Sequence, residues 1–390
     1  MMGKPLDGIR VFDITLAGVG PWATKLLGEL GADVIHVESP DRGAANFMES
    51  PQLLYVTANN NKRSALLDLK DIKQREAVYR LLRTCDVFVE NMRPGVMSRL
   101  GLDYETVSKI NPGIVYLSAS GYGQTGHMVP RPGADPQLQA FSGWTSVTGV
   151  EDGEPEFLRV YIHLDYNTSQ YITQAILMAL YARGRTGRGQ KVEVAMLAAA
   201  MSLQSTRIAE YFATGKTPPR LGNAASTTAP HEAFRCEDKR YLAVGVVQES
   251  QWRPFCEAID TPELTDDPRF TTNEDRVTHR RELSALLQPI FERHPLRYWE
   301  IQLTRGGVPN GRFLYWDDLR FHPQVIENGA MSIVQHPQFG PLYQDGAPWQ
   351  FSKSDRIELT PTPLPDQHTQ ELLAEFGTEA AEAVTAGEQR

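Results

Sequence analysis

Short β-rich runs that alternate with helical stretches constrain the architecture of this chain more than any other feature. Gly8–Ile14 (GIRVFDI) leads into a turn containing Gly18, Gly20 and Pro21, a helical pattern from Trp22 to Leu30 closed by Gly31, and a second strand in ADVIHVES. Strands are also expected at Asp86–Glu90 (DVFVE) and Ile114–Ser118 (IVYLS), each after a helical stretch. Parallel neighbours cannot be joined by a tight hairpin, so this order predicts a doubly wound α/β domain, a parallel sheet with crossover helices. A helix over Asn167–Arg183, with Ile172, Ala175, Ile176, Ala179 and Leu180 on one stripe, and a strand at Lys191–Val194 after a GRTGRG turn complete it.

At 390 residues the chain exceeds the roughly 250–300 residues that one core organises, so a second domain is expected. The large domain is assigned to 1–214, ending with a helix over Leu197–Thr214. The Pro, Gly, Ser and Thr-rich stretch 215–230 reads as a linker. From His231 the character changes. AFRCEDKRYLAVGVV reads as an antiparallel hairpin across Asp238-Lys239, and helices are expected at Ser250–Ile259 and Arg280–Phe291, giving a smaller α+β domain over 231–325. Residues 326–390, irregular apart from a helix near Thr369–Phe376, are expected to return to the large domain.

Charge and composition exclude several classes. With 48 acidic against 39 basic residues the net charge is −9, which repels phosphate backbones, so nucleic acid is not an expected partner and an anionic ligand needs a local basic patch. Cys85, Cys236 and Cys256 are scattered and odd in number, which supports neither a disulfide framework nor a zinc site. Inert buried thiols in a reducing cytoplasm are expected. The nine histidines show no HxxxH or HExxH spacing, so a metal is not expected. No uncharged stretch approaches the roughly 20 residues of a membrane span, and MMGKPLDGIRVFDI holds no leader-like apolar run.

The candidate chemistry lies between Ser120 and Tyr171: SGYGQTG, then RPGADPQLQAFSGW, then Asp165 in HLDYNTSQY. Asp165 has two readings. An acid just before Asn167-Thr168-Ser169 serves a helix N-terminus through capping and the macrodipole, and a carboxylate in such company is also a candidate nucleophile. His163 points to the same face if the segment is extended. Gly18-Val19-Gly20-Pro21-Trp22-Ala23 fits the loose G-x-G-x-x-G/A dinucleotide fingerprint with Glu38 at the end of the next strand, so a nicotinamide dehydrogenase is an alternative. Against it, Thr15-Leu16-Ala17 separate the strand from the first glycine. Asn91, after DVFVE, is placed for an anion or amide ligand at a strand end, with Arg93 beside it.

Together these segments resemble the class III, CaiB/BaiF-type coenzyme A transferases and the related α-methylacyl-CoA racemases. PLDGIRVFDI…GPWATKLLGELGADVIHVE, NKRSALLDLK, ENMRPGVMSRLGLDYE, NPGIVYLSASGYGQTG, RPGADPQLQAFSGW, the Asp165 segment, RTGRGQKVEVAM, DDPRFTTNEDR, GGVPNGR and DQHTQELLAEFG carry the resemblance in order along nearly the whole chain. The resemblance implies a Rossmann-like large domain, a smaller domain and an interlocked homodimer. It implies coenzyme A or acyl-CoA as substrate, with neither metal nor NAD, and Asp165 as the catalytic acid. It implies coenzyme A contacts at Ala17, Gly18, Gly20, Leu67, Lys70, Asn91, Met92 and Arg99, with Asp135 near Asp165. The sequence departs from the family where Ser39 stands in place of a basic residue, where Gly18-Val19 replaces a polar residue, and where VVQES occupies the glycine-rich small-domain loop. A racemase needs a histidine where Gly133-Ala134-Asp135 stands here, and alanine cannot exchange a proton, so the transferase is favoured over the racemase alternative. SGYGQTG, QAFSGW and LDY look most like the carnitine and bile-acid branch, which implies an acceptor larger than oxalate.

Overall fold

Strands β1 (Arg10–Asp13), β2 (Asp33–Glu38), β3 (Lys62–Leu66), β4 (Val87–Glu90), β5 (Val115–Ser120) and β6 (Gln190–Ala195) form one sheet in the order β3-β2-β1-β4-β5-β6. Every neighbouring pair in it is parallel. This is the doubly wound arrangement expected from the strand and helix alternation, seen in a computed structural model that describes residues 3–40, 53–159 and 162–377. The chain divides into two compact units, one of 1–144, 158–209 and 324–390, the other of 145–157 and 210–323.

Alternation along the strands builds two cores. Val11, Val34, Val87, Val89, Val115 and Leu117 face one side, where Val19, Ala23 and Leu27 of the first helix (Val19–Glu29) and Ile172, Ile176 and Ala179 of the long helix (His163–Thr186) cover them. Phe12, Ile35, Phe88 and Tyr116 face the other side, under Val78, Leu81 and Leu82 of the helix Ile72–Leu82 and Leu372 of the helix Thr369–Gly377. Phe88 stacks on both Phe12 and Tyr116, with centroids 5.2 and 4.5 Å away, so aromatic contact runs across β1, β4 and β5. The last helix thereby belongs to the first unit.

In the second unit β7 (His231–Arg235) and β8 (Tyr241–Gly245) form the expected hairpin, and β9 (Asn310–Arg312) adds antiparallel to β8. Helices Trp252–Ala258, Arg280–Phe291 and Leu296–Arg305 cover it around Phe234, Phe255, Leu287, Phe291 and Trp299. Arg276, buried in this unit, pairs with Glu249 at 2.9 Å and donates to the carbonyls of Ala229 and Phe270.

Three sequence expectations change. The long helix starts at His163, not Asn167, so Asp165 lies in its first turn. The single helix expected over Leu197–Thr214 is two, Met196–Leu203 and Ser205–Thr214, divided at Gln204, whose amide donates to the carbonyls of Ala200 and Ser142. The stretch after Pro323 contains an antiparallel hairpin, β10 (Met331–His336) and β11 (Gly340–Asp345). Pro337 and Pro341 obscure its period-two pattern, and a two-stranded ribbon, being all edge, tolerates Pro341 within β11.

Candidate active site

Connections from β1 and β4 leave the sheet in opposite directions, so their carboxyl ends diverge into a crevice, the place where open parallel sheets take ligands. A cleft of about 390 Å³ occupies it. Leu16, Ala17 and Val19 line it after β1, Asn91 to Pro94 after β4, and Ala119 to Gly123 at the end of β5. Arg131 to Ala134, Asp165 and Met196 complete the wall. The two halves of the Ser120–Tyr171 stretch meet because glycine lies on glycine. A Cβ at Gly121 would stand 2.7 Å from the Cα of Gly133, closer than such atoms approach, so the GYG turn and the RPG segment cross only as glycines.

Asp165 sits at the convergence of two helix N-termini. It lies in the first turn of its own helix and against the N-terminus of the helix Val19–Glu29, where a Cβ on Gly18 would stand 3.2 Å from its Oδ1. Ser169, one turn on, donates to the carbonyl of Val19 at 2.6 Å and ties the two helices together. Burial raises the Asp165 carboxyl most strongly, and the nearby charge of Asp135 raises it further. The Val19 N–H and its own N–H oppose them, and the group is pushed up to about 7. Asp165 is only 8% exposed, yet it opens onto the cleft.

The start of the long helix explains why no local cap was legible. Its N-cap is Ile162, which has no capping side chain, and the cap comes from Asp135 instead. Asp135 Oδ2 accepts the Leu164 N–H at 2.7 Å and Oδ1 accepts the Gln139 amide at 2.7 Å, while Gln139 Oε1 accepts the Leu158 N–H at 2.9 Å. An acid distant in sequence therefore takes the capping role and leaves Asp165 free to face the cleft. The expectation that His163 shares the face of Asp165 fails because the segment is helical, and two residues apart on a helix is just over half a turn. The His163 ring packs on Trp144, with centroids 5.6 Å apart, and against Asn167.

The turn between β1 and the first helix is held at the Ile14, Thr15 and Leu16 N–H groups and at the Leu16 carbonyl. Asp13, at the end of β1 and fully buried, accepts from Thr15 N and Oγ1 at 2.9 and 2.6 Å, Thr24 Oγ1 at 2.5 Å, His36 Nδ1 at 3.0 Å and Lys62 Nζ at 3.1 Å. Burial pushes its carboxyl upward, but Lys62 and His36 outweigh burial and hold it below the usual carboxylate range. Lys62 also donates to the Pro21 carbonyl and to Asn59 Oδ1 at 2.8 and 2.7 Å.

The expected ligand-contact residues divide by location. Ala17, Asn91 and Met92 line the cleft. Gly18 lies against Asp165: a Cβ there would stand 3.2 Å from Asp165 Oδ1 and 2.2 Å from Ile162 Cδ1. Gly20 is a packing glycine, since a Cβ would meet Thr15 at 2.3 Å, so the glycines that suggested a dinucleotide fingerprint serve close packing instead. Leu67 is buried in the core, Lys70 is exposed, and the Arg99 guanidinium lies beside Gly95; none of the three lines the cleft. Asp135 is buried behind the cleft wall as the cap just described. Arg131 was missed as a site residue. Its signal was its place in the RPG break, and with Arg93 it gives the cleft its positive charge, neither being paired with a carboxylate among the described residues.

Glu90 adds a further brace. It accepts the Met92 N–H at 2.8 Å and a hydrogen bond from Ser118, which in turn accepts from Gln124 at 2.9 Å, and burial raises its carboxyl. Among the described residues no group of three or more His, Cys, Asp or Glu is arranged to hold a metal, and no helix is long and apolar enough to cross a membrane.

The sequence profile of CoA-transferase family III matches residues 6–369. The chain is 35% identical to succinyl-CoA:glutarate CoA-transferase of Homo sapiens over 378 residues, covering 95% of this chain and 86% of the relative. It is 35% identical to formyl-CoA:oxalate CoA-transferase of Streptomyces coelicolor over 401 residues, covering 97% and 96%. A crystal structure of a CAIB/BAIF family protein from Brucella suis superposes with a TM-score of 0.85 at 31% identity, covering 96% of this chain and all of that one.

Proposed function

The chain belongs to CoA-transferase family III and is a CoA-transferase, and from that premise we propose that Asp165 is its nucleophile and that its acids are small dicarboxylates. One observation carries the reading: a buried carboxylate opens onto the strand-end cleft between two helix N-termini, with Arg93 and Arg131 on the same wall.

The chemistry follows from an oxygen nucleophile of that kind. A carboxylate oxygen of Asp165 attacks the thioester carbonyl of the donor, the C–S bond breaks, and a mixed anhydride and CoA thiolate result. The thiolate attacks the aspartyl carbon and releases the first acid as its carboxylate, leaving an aspartyl-CoA thioester. The acceptor carboxylate attacks that thioester and expels the thiolate. The thiolate then takes the acceptor acyl group and restores Asp165. Acyl activation is conserved throughout, so no ATP is consumed. The N-terminus of the helix Val19–Glu29 lies against Asp165 and its N–H groups are suited to developing oxyanions at the aspartyl carbonyl; one such donor contributes about 10²–10³ in rate. Ala134 lines the cleft where a racemase would carry its proton-shuttling histidine.

Dicarboxylates are favoured because similar proteins are named for glutarate, oxalate and D-citramalate, and because two arginines on the cleft wall offer positive charge to a second carboxylate in a chain of net charge −9. Three unpaired buried cysteines support a reducing cytoplasm. Exposed Met178, Tyr181 and Phe212 support a homodimer that covers them. The test is transfer from succinyl-CoA to a panel of glutarate, oxalate, carnitine and monocarboxylic acids. Product with the dicarboxylates supports the reading. Exchange of α-hydrogen in D₂O without any acceptor, and no transfer, overturns it.

Two further results are expected. Only ionised Asp165 attacks, so kcat/KM falls as pH drops through about 7, roughly tenfold per unit below it. A pH-rate profile with its acid limb near 4 would contradict this. Gly18→Ala forces Ile162 aside and crowds Asp165 Oδ1, so turnover falls about 10²-fold, the cost of a misplacement near 1 Å, with the unfolding midpoint little changed.

A further inference from the structure

Asn91 was expected to contact the ligand, but its side chain is directed at the backbone. Its Oδ1 accepts the Leu16 N–H at 2.8 Å and its Nδ2 donates to the Leu16 carbonyl at 2.7 Å. Both polar groups of one peptide residue, 75 positions away, are thereby pinned across the switch point from β4 to the turn after β1. The next residue, Ala17, lies in the left-handed region at φ 62°, where a Cβ is strained. Gly18 and Val19 follow: a Cβ on Gly18 would stand 3.2 Å from Asp165 Oδ1, and Ser169 Oγ donates to the carbonyls of both Val19 and Asp165. A strained non-glycine residue beside a reactive group persists only when its neighbours over-determine it. Here the neighbours are Asn91 on Leu16, Asp13 on Thr15 and Lys62 on Pro21.

We propose that Asn91 is a positioning residue for the nucleophile: by clamping Leu16 it holds Ala17 left-handed, and that conformation keeps Gly18 and the N-terminus of the helix Val19–Glu29 against the Asp165 carboxylate. This rests on Asp165 being the nucleophile. The charged and titratable groups near that carboxylate are Asp135 from the helix Asp135–Phe141 and Arg93 and Arg131 on the cleft wall.

The experiment compares Asn91→Ala, Ala17→Gly, the double variant and Asp165→Asn by steady-state kinetics with succinyl-CoA and glutarate across pH, with thermal unfolding as a folding control. Asn91→Ala is expected to lower kcat about tenfold, as the helix N-terminus drifts from the carboxylate it supports, with KM for succinyl-CoA changed less than about twofold. The acid limb should move to higher pH by about one unit, because the helix N-terminus that drifts away favours the ionised form. Adding Ala17→Gly, which relieves the left-handed strain, should restore part of the lost kcat. A raised KM with unchanged kcat and an unmoved acid limb would make Asn91 a ligand contact and overturn the proposal. So would a fall in kcat that Ala17→Gly does not recover and that leaves the limb in place. If Asp165→Asn retains transfer, the nucleophile reading falls. If it is inactive while the Asn91→Ala limb stays put, only the positioning role falls.

Discussion

Asp165→Asn is expected to abolish CoA transfer, lowering turnover by roughly 10⁴-fold or more, the order of loss when a covalent nucleophile is removed. Asparagine keeps the volume and the hydrogen-bonding outline but offers no oxygen nucleophile. The same substitution is expected to stabilise the fold, and the sign follows from the raised carboxyl. Unfolded, the group titrates near 3.8; folded, burial and then Asp135 push it up to about 7. Below the unfolded value the acid is neutral in both states and its contribution is fully present. As pH rises toward and through 7 the unfolded chain ionises freely while the folded one resists, so stability is lost. Removing the charge recovers that loss, of order 2–4 kcal/mol at pH 8 and less at pH 5. Denaturant unfolding at the two pH values checks it. An equal shift at both would mean that the carboxylate is not held against its preference.

Lys62→Met is expected to be the most damaging single change to stability in the first unit. It removes the cation from a carboxylate with no solvent exposure, Asp13, and leaves the Pro21 carbonyl and Asn59 without their donor. Breaking a buried pair in this way costs about 3–5 kcal/mol. Asp13 is held below its ordinary range, so its favourable contribution is present above the unfolded pKa and disappears as pH falls. The deficit of Lys62→Met should therefore be largest near neutrality and shrink toward pH 4. The double variant Asp13→Asn with Lys62→Met should recover part of it, since no unpaired charge remains. A deficit below about 1 kcal/mol, or one that grows as pH falls, would contradict the account.

Much of the first unit was legible because its rules are local. The apolar runs ending at Asp13, Glu90 and Ser118 are strands buried on both faces, and a helical stretch between them leaves only the parallel connection. The order β3-β2-β1-β4-β5-β6 needed contacts that periodicity does not carry. The site was legible in parts. Asp165 and the glycine turns of SGYGQTG and RPG were legible as residue types suited to a ligand site, whereas the cap on the long helix comes from Asp135, and an acid and an N–H 29 residues apart form no local capping pattern to read. Leu67 and Lys70 lie at the end of β3, two strands from the switch point, which is why they do not line the cleft. The hairpin β10-β11 was missed because its prolines broke the alternation that would have announced it.

The most direct measurement is peptide mass spectrometry of the enzyme mixed with succinyl-CoA in the absence of acceptor and trapped with hydroxylamine. An aspartyl thioester at Asp165 predicts a hydroxamate on the peptide that contains it, formed only with donor present and lost on addition of glutarate before the trap. An active preparation in which Asp165 remains unmodified, or in which another carboxylate carries the hydroxamate, would contradict the assignment of Asp165 as nucleophile.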